Sequence, residues 1–342
     1  MILIDALYIN NSGGKVLLDY LIEEVDNSKI QTYYLLDDRV AIEDYLFNHT
    51  NFAYIKASLL NRHKFYKKNQ HKFSKVFCFG NLPPLTKLNV PVYTYFHQKL
   101  FLEVPVETPL KQKLIFTIKA AIFNNLYSNT DYWLVQTEIV KKDFLKSFPL
   151  TDSNKIVVLP FYPPVPNSLL DNSGHKKNNF VYVSTGSPHK NHLRLIEGFK
   201  LFYDKFKIGK LSLTIGLEFS SLQTLICKLE SAGYPIVNKE YVDRSELSTL
   251  YKANEYIIFP SLTESFGLGL LEGMENGCQI LGADLPYIYA VCKPSITFNP
   301  YSVDSIADAF HQATAKNVKP TEQLVFNQID KLIELLRNEN KK

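Results

Sequence analysis

No aspartate or glutamate occurs between Tyr45 and Leu102, although nine lysines and arginines do. Residues 164–342 balance at 19 basic and 19 acidic side chains, so the whole net charge of +4 belongs to the first half. A basic stretch suits an anionic partner, but no nucleic-acid-binding motif accompanies it, and nucleic acid is not expected. Cysteine is scarce: Cys78, Cys227, Cys278 and Cys292 are scattered, with no Cys-x-x-Cys and no histidines at ligand spacing. That argues against a disulfide framework and a zinc site, and fits reduced thiols in the cytoplasm. No run approaches the roughly 18 uninterrupted apolar residues of a membrane span. The apolar start, MILIDALYI, is broken by Asp5 and lacks a basic leader, so it reads as a first strand rather than a signal peptide. No Gly-x-Gly-x-x-Gly follows that strand, which leaves a dinucleotide oxidoreductase poorly supported.

What is present is a regular alternation. The 342 residues exceed one ordinary core and suit two domains. Strands are predicted at 2–7, 32–36, 52–55, 76–79, 92–96, 133–136 and 156–159, with helices at about 15–24, 42–47, 109–127 and 138–147. Such alternation predicts parallel sheets covered by helices on both faces. The segment PFYPPVPNSLLDNSGHKKNN then interrupts it, as a proline-rich, polar linker would. The pattern restarts with strands at 180–184, 211–215, 236–237, 256–259, 279–281 and 296–298. A helix at 192–202 lays Leu195, Ile196, Phe199 and Phe202 on one face. The expected architecture is two doubly wound, Rossmann-like α/β domains facing a central cleft. They occupy 1–163 and 164–320, with a C-terminal helix in 321–342 able to return to the first domain.

The most informative stretch is FPSLTESFGLGLLEGMENGCQ, residues 259–279. A buried strand leads into a polar turn, and a helix starts near Leu268 and stops at Gly277, a left-handed cap. Ligands of open α/β sheets sit beyond the carboxyl ends of strands, and a helix N-terminus there is an anion site. Glu264 precedes that turn and Glu272 follows it. Acceptor-only carboxylates would repel the anion itself but suit hydroxyls on either side of it. On spacing alone, a Glu272 paired with a lysine and a solvated Glu264 are an equal alternative.

The segment ELSTLYKANEYIIFPSLTESFGLGLLEGMENGCQILGADLP closely resembles the Glu-x7-Glu region of retaining, GT-B-fold glycosyltransferases of the group 1 (family 4) superfamily. The resemblance runs from Glu246 to about Asp308, with weaker echoes elsewhere. It implies that Glu264 contacts a donor sugar, that Glu272 binds ribose hydroxyls, and that the backbone of Phe266, Gly267 and Leu268 meets sugar and phosphate. In VYVSTGSPHKNHLRLIEGF it implies a phosphate-binding Lys190. The arginine usual in the family is replaced by Thr185, which leaves the second cation of the diphosphate site unassigned. In NNSGGKVLL, Gly13 and Gly14 resemble the family's N-terminal glycine loop over the donor phosphates and acceptor pocket. In YTYFHQK, His97 matches a histidine that often touches the donor sugar. Where the family often has a glutamate, Ala290 stands.

The resemblance therefore implies a cytoplasmic, retaining glycosyltransferase with no resident cofactor. It would move sugar from a UDP- or GDP-linked donor to a glycan, in surface-polysaccharide synthesis with a lipid-linked acceptor. The absence of any Asp-x-Asp disfavours a metal-dependent transferase. A non-catalytic nucleotide-sugar-binding module and a nucleotide-sugar epimerase of the same fold remain alternatives. Two stretches suit an anionic membrane surface and predict peripheral binding on its inner face. One is 56–75, with seven basic residues among Phe65, Tyr66 and Phe73; the other is PLKQKLIFTIKAAIFNNLY. A solvated face and a buried amphipathic helix are their respective plainer readings.

Overall fold

A computed structural model describes residues 1–40, 51–105, 108–165, 177–314 and 318–338; the helix expected at 42–47 and most of the linker lie outside them. Two compact units result. One is Met1–Val104 and Leu110–Pro163 with Phe326–Lys342; the other is Pro164–Val325 with Pro105–Pro109.

The first unit is built from β1 (Ile2–Asp5), α1 (Ser12–Asn27), β2 (Thr32–Asp37), β3 (Phe52–Ile55), α2 (Leu59–Asn69), β4 (Lys75–Cys78), β5 (Val92–Phe96), α3 (Leu110–Leu126), β6 (Tyr132–Val135), α4 (Glu138–Ser147) and β7 (Ile156–Val158). Its sheet is wholly parallel in the order β3-β2-β1-β4-β5-β6-β7. Most strands are continuous apolar runs because helices cover both faces. The helix Ile329–Arg337 also belongs here, burying Leu332, Ile333 and Leu336. Its last carbonyls receive the buried Lys75 ammonium: Nζ donates to the oxygens of Leu335, Leu336 and Asn338 at 2.5, 3.1 and 2.7 Å. A lysine at that end satisfies orphan carbonyls and opposes the helix dipole.

Two surface expectations change in this unit. The aromatic residues of 56–75 do not face outward: Phe65, Tyr66 and Phe73 pack with Leu3, Leu35 and Val76 in the core. Arg62 and Lys75 are buried as well. What remains outside is mostly charged or polar, with Lys56, Lys64, Lys67, Lys68 and Lys72 exposed beside a single large apolar side chain, Leu60. Conversely, the plainer reading of α3 as a buried helix is wrong. Only Phe123 and Leu126, at its far end, are buried, while Leu110, Leu114, Ile115 and Ile118 are exposed. That face carries no acid at all, because α3 contains none.

The second unit repeats the plan with β8 (Asn179–Tyr182), α5 (His192–Phe206), β9 (Lys210–Leu213), α6 (Ser220–Ser231), β10 (Ile236–Asn238), α7 (Arg244–Lys252), β11 (Tyr256–Phe259), α8 (Leu268–Glu275), β12 (Gln279–Ala283), α9 (Pro286–Val291), β13 (Cys292–Lys293), β14 (Ile296–Phe298), α10 (Val303–Thr314) and β15 (Glu322–Gln323). The parallel sheet runs β10-β9-β8-β11-β12-β14, and β13 pairs with β15 antiparallel. In both sheets the strand order reverses beside the first strand. That switch point, between β1 and β4 or between β8 and β11, opens a crevice where the loops diverge.

Candidate active site

Because β8 and β11 are neighbours, the loops that leave their carboxyl ends meet. They are laced together. The Leu262 N–H donates to the His189 carbonyl at 2.8 Å, and Asn191 Nδ2 donates to the carbonyls of Pro260 and Pro300 at 3.2 and 2.7 Å. Tyr182 joins from below, 2.7 Å from Ser261 Oγ and donating to the Lys190 carbonyl at 3.2 Å. Asn191 accepts the left-handed conformation, φ 62°, that turns the chain into α5.

This lacing brings Lys190 and Glu264 together across 74 residues of sequence: Nζ lies 2.5 Å from Oε1, with both side chains mostly buried. Neither is the merely solvated group that either could have been. Thr185 is exposed in the same loop, its hydroxyl 3.1 Å from that of Ser187. Two histidines beside this pair are held neutral. Burial, followed by the Lys190 charge, lowers the His189 pKa to about 4 and that of His192 to about 3. Neither ring nitrogen of His192 has a hydrogen-bond partner among the described residues.

The turn after Glu264 runs through buried Phe266 to Gly267, whose φ of 82° only glycine adopts without strain. Leu268 then opens α8. The helix lies close on β11 at Gly273, where a Cβ would meet Ile257 Cδ1 at 1.7 Å. A side chain there would force Ile257 to move aside. Glu272 is thereby fixed one turn inside α8, 5% exposed. Its Oε1 accepts from Arg244 Nη1 at 2.6 Å and its Oε2 from the Tyr251 hydroxyl at 3.1 Å. Glu272 is paired, but with an arginine rather than a lysine. Arg244 and Tyr251 carry no local motif, lying 28 and 21 positions away on α7. Their helical spacing, seven residues apart on one face, was the available signal.

In the first unit the structure brings Gly14 and His97 together. A Cβ on Gly14 would lie 3.5 Å from His97 Cε1, ordinary contact distance. Gly13 is exposed in the same first turn of α1. His97 stacks on Phe79 at 5.1 Å, its N–H donates to Asn81 Oδ1 at 2.7 Å, and Nε2 lies 3.1 Å from the Phe79 carbonyl. A carbonyl can only accept, so Nε2 carries the proton and Nδ1 is left as an acceptor. Burial lowers its pKa to about 4, so the ring is neutral at physiological pH.

The comparisons with known proteins bear on the family and the fold. The family model described as "Glycosyl transferases group 1" matches residues 171–331. The O-antigen chain mannosyltransferase RfbU of Salmonella typhimurium is 27% identical over 184 residues, 53% of this chain and 48% of its own length. The match thus spans about half of that curated relative. Among solved structures, the apo lipopolysaccharide outer core galactosyltransferase WaaB superposes with a TM-score of 0.64 at 16% identity, covering 97% of this chain and 93% of its own. WaaG, a glycosyltransferase involved in lipopolysaccharide biosynthesis, gives 0.67 at 13% identity, covering 99% and 100%. At such identities the structures speak for the shared two-sheet fold.

Proposed function

We propose that this chain, whose residues 171–331 match the model described as "Glycosyl transferases group 1", is a retaining, metal-independent glycosyltransferase that uses a nucleotide-diphosphate sugar. The observation that carries this reading is the placing of Lys190–Glu264 and Arg244–Glu272 on either side of the start of α8. An anion at that helix start would have a cation within reach and carboxylates ready for hydroxyls on both flanks. Glu264 would take the hydroxyls of the sugar and Glu272 those of the ribose. Lys190, Thr185 and the backbone of Phe266, Gly267 and Leu268 would meet the diphosphate. The anomeric carbon's bond to the phosphate oxygen breaks as its bond to the acceptor oxygen forms on the same face. The acceptor's proton passes to the departing phosphate. Lys190 and the helix amides stabilise the charge that develops on that phosphate.

The likeness to RfbU, an O-antigen chain mannosyltransferase, and the first unit's surface support a reading of the acceptor class. We assign it as a lipid-linked glycan of surface polysaccharide, reached by peripheral contact with an anionic membrane. Among the described residues no helix is long and apolar enough to cross a membrane. The exposed stripe Leu110, Leu114, Ile115 and Ile118, flanked by Lys111 and Lys119, supports surface contact. The lysines of α2 would add only charge. Cosedimentation with anionic vesicles should be lost when Leu114 and Ile118 are changed to Asp, and should weaken with salt for wild type. Equal pelleting of both proteins would refute this contact.

The enzymatic reading is tested by thermal shift against UDP, GDP and their sugars, since a ligand at a hundred times its Kd stabilises by about 2.7 kcal/mol. Turnover of the stabilising donor, with the product anomer identified, separates a retaining transferase from a binding module or an epimerase. No shift with any nucleotide would refute it.

A further inference from the structure

The two partners of Glu272 differ in kind. Tyr251 is fully buried, whereas the Arg244 side chain is 26% exposed against 6% for Glu272 itself. The guanidinium is therefore the more solvent-facing of the two partners. On the donor reading above, which this inference rests on, ribose hydroxyls reach Glu272 only if Arg244 yields or shares an oxygen. The second consideration is charge. Thr185 brings none to the diphosphate, and Lys190 is tied to Glu264 ahead of α8. Arg244 is tied to Glu272 one turn inside it, so the two cations flank the helix start.

We propose that Arg244 is the second cation of the donor site. It covers Glu272 while the site is empty and transfers to phosphate oxygens when a nucleoside diphosphate binds, releasing Glu272 to hydroxyls. The exchange is matched on both sides. The ligand offers acceptor-only phosphate oxygens to a donor-only guanidinium, and hydroxyl donors to an acceptor-only carboxylate. Neither buried charge is stranded, as it would be if Arg244 were displaced without a new partner. One of its further links, Nη2 to the Pro164 carbonyl at 3.3 Å, is long. Guanidinium geometry also fits phosphate in two-point contact, which a lysine at this place would not provide.

The opposing possibility is that Arg244 only orients Glu272. Calorimetric or NMR titration of UDP, GDP, uridine and guanosine into wild type, Arg244→Gln, Glu272→Gln and the double variant decides between them. Arg244→Gln should weaken the bound diphosphate about tenfold or more and leave the nucleoside unchanged or tighter. In the Glu272→Gln background, where there is no carboxylate to orient, Arg244→Gln should still cost the diphosphate a similar factor. Equal losses for nucleoside and diphosphate, or no further loss in that background, would overturn the proposal. The double variant removes both charges together, so the test survives if Arg244→Gln alone folds poorly. Wild type that binds neither diphosphate would refute the donor reading and this inference with it, an outcome seen without any variant.

Discussion

Each unit has an ion pair at the carboxyl end of its first strand, and the two pairs do opposite work. In the first unit Asp5 ends β1 and holds Arg62 of α2, with Nε 2.7 Å from Oδ2 and both side chains buried. Every neighbour completes the set. Arg62 also donates to the carbonyls of Pro83 and Leu82 at 2.7 and 2.8 Å, and Asp5 accepts from the Tyr66 hydroxyl at 2.6 Å and the Leu7 N–H at 3.2 Å. In the second unit Lys190 and Glu264 keep 19% and 11% of their side chains exposed. A guanidinium donates through five N–H groups in a fixed plane, and here it is enclosed by acceptors. An ammonium on a flexible stem, left at an open edge, can change partner. The same sheet edge thus holds a lock in one unit and, on the function proposed above, a ligand contact in the other.

Substitution should separate the two. Arg62→Met strands a buried carboxylate and should cost about 3–5 kcal/mol of stability in urea unfolding, with nucleotide affinity unchanged in the fraction that stays folded. Lys190→Met should cost less stability than Arg62→Met, because Glu264 keeps some contact with solvent, yet weaken diphosphate binding by about 1.5–3 kcal/mol with the bare nucleoside unaffected. A Lys190 variant as unstable as the Arg62 variant would erase the contrast, and so would equal losses for nucleoside and diphosphate.

How legible these features are in the sequence depends on the range of the interaction that makes them. The strands Val92–Phe96 and Tyr256–Phe259 match the bounds expected from apolar runs, because a strand buried on both faces announces itself locally, and the partly buried edge strands Phe52–Ile55 and Ile296–Phe298 match as well. The helix α2 does not. Its buried face includes Arg62, which breaks the apolar stripe, and the region reads instead as a charge run. Charge also misleads about the aromatics there, since only the fold decides which side of α2 faces the core. The start of α8 is legible because Gly267 must be left-handed and the loop is short. The partners of its two carboxylates are not, since the sheet order that puts β8 beside β11 and α7 beside α8 is not written in any one segment. The exposed stripe of α3 is legible only as one of two readings, surface contact or a buried face, for the same reason. An amphipathic pattern predicts a buried face, and nothing local shows that only the last turn of this helix finds a core to join.

The central claim is that the Lys190–Glu264 edge handles a nucleotide sugar and that Glu264 serves the sugar rather than the nucleotide. Steady-state turnover of the best donor by wild type and Glu264→Gln, alongside titration of the matching nucleoside diphosphate, tests it most directly. The account predicts a fall in kcat of about 1.5–3 kcal/mol in activation free energy with diphosphate affinity unchanged or higher, because a competing partner of Lys190 has been neutralised. Wild-type turnover in Glu264→Gln would contradict it, as would a loss of diphosphate affinity that accounts for the whole defect.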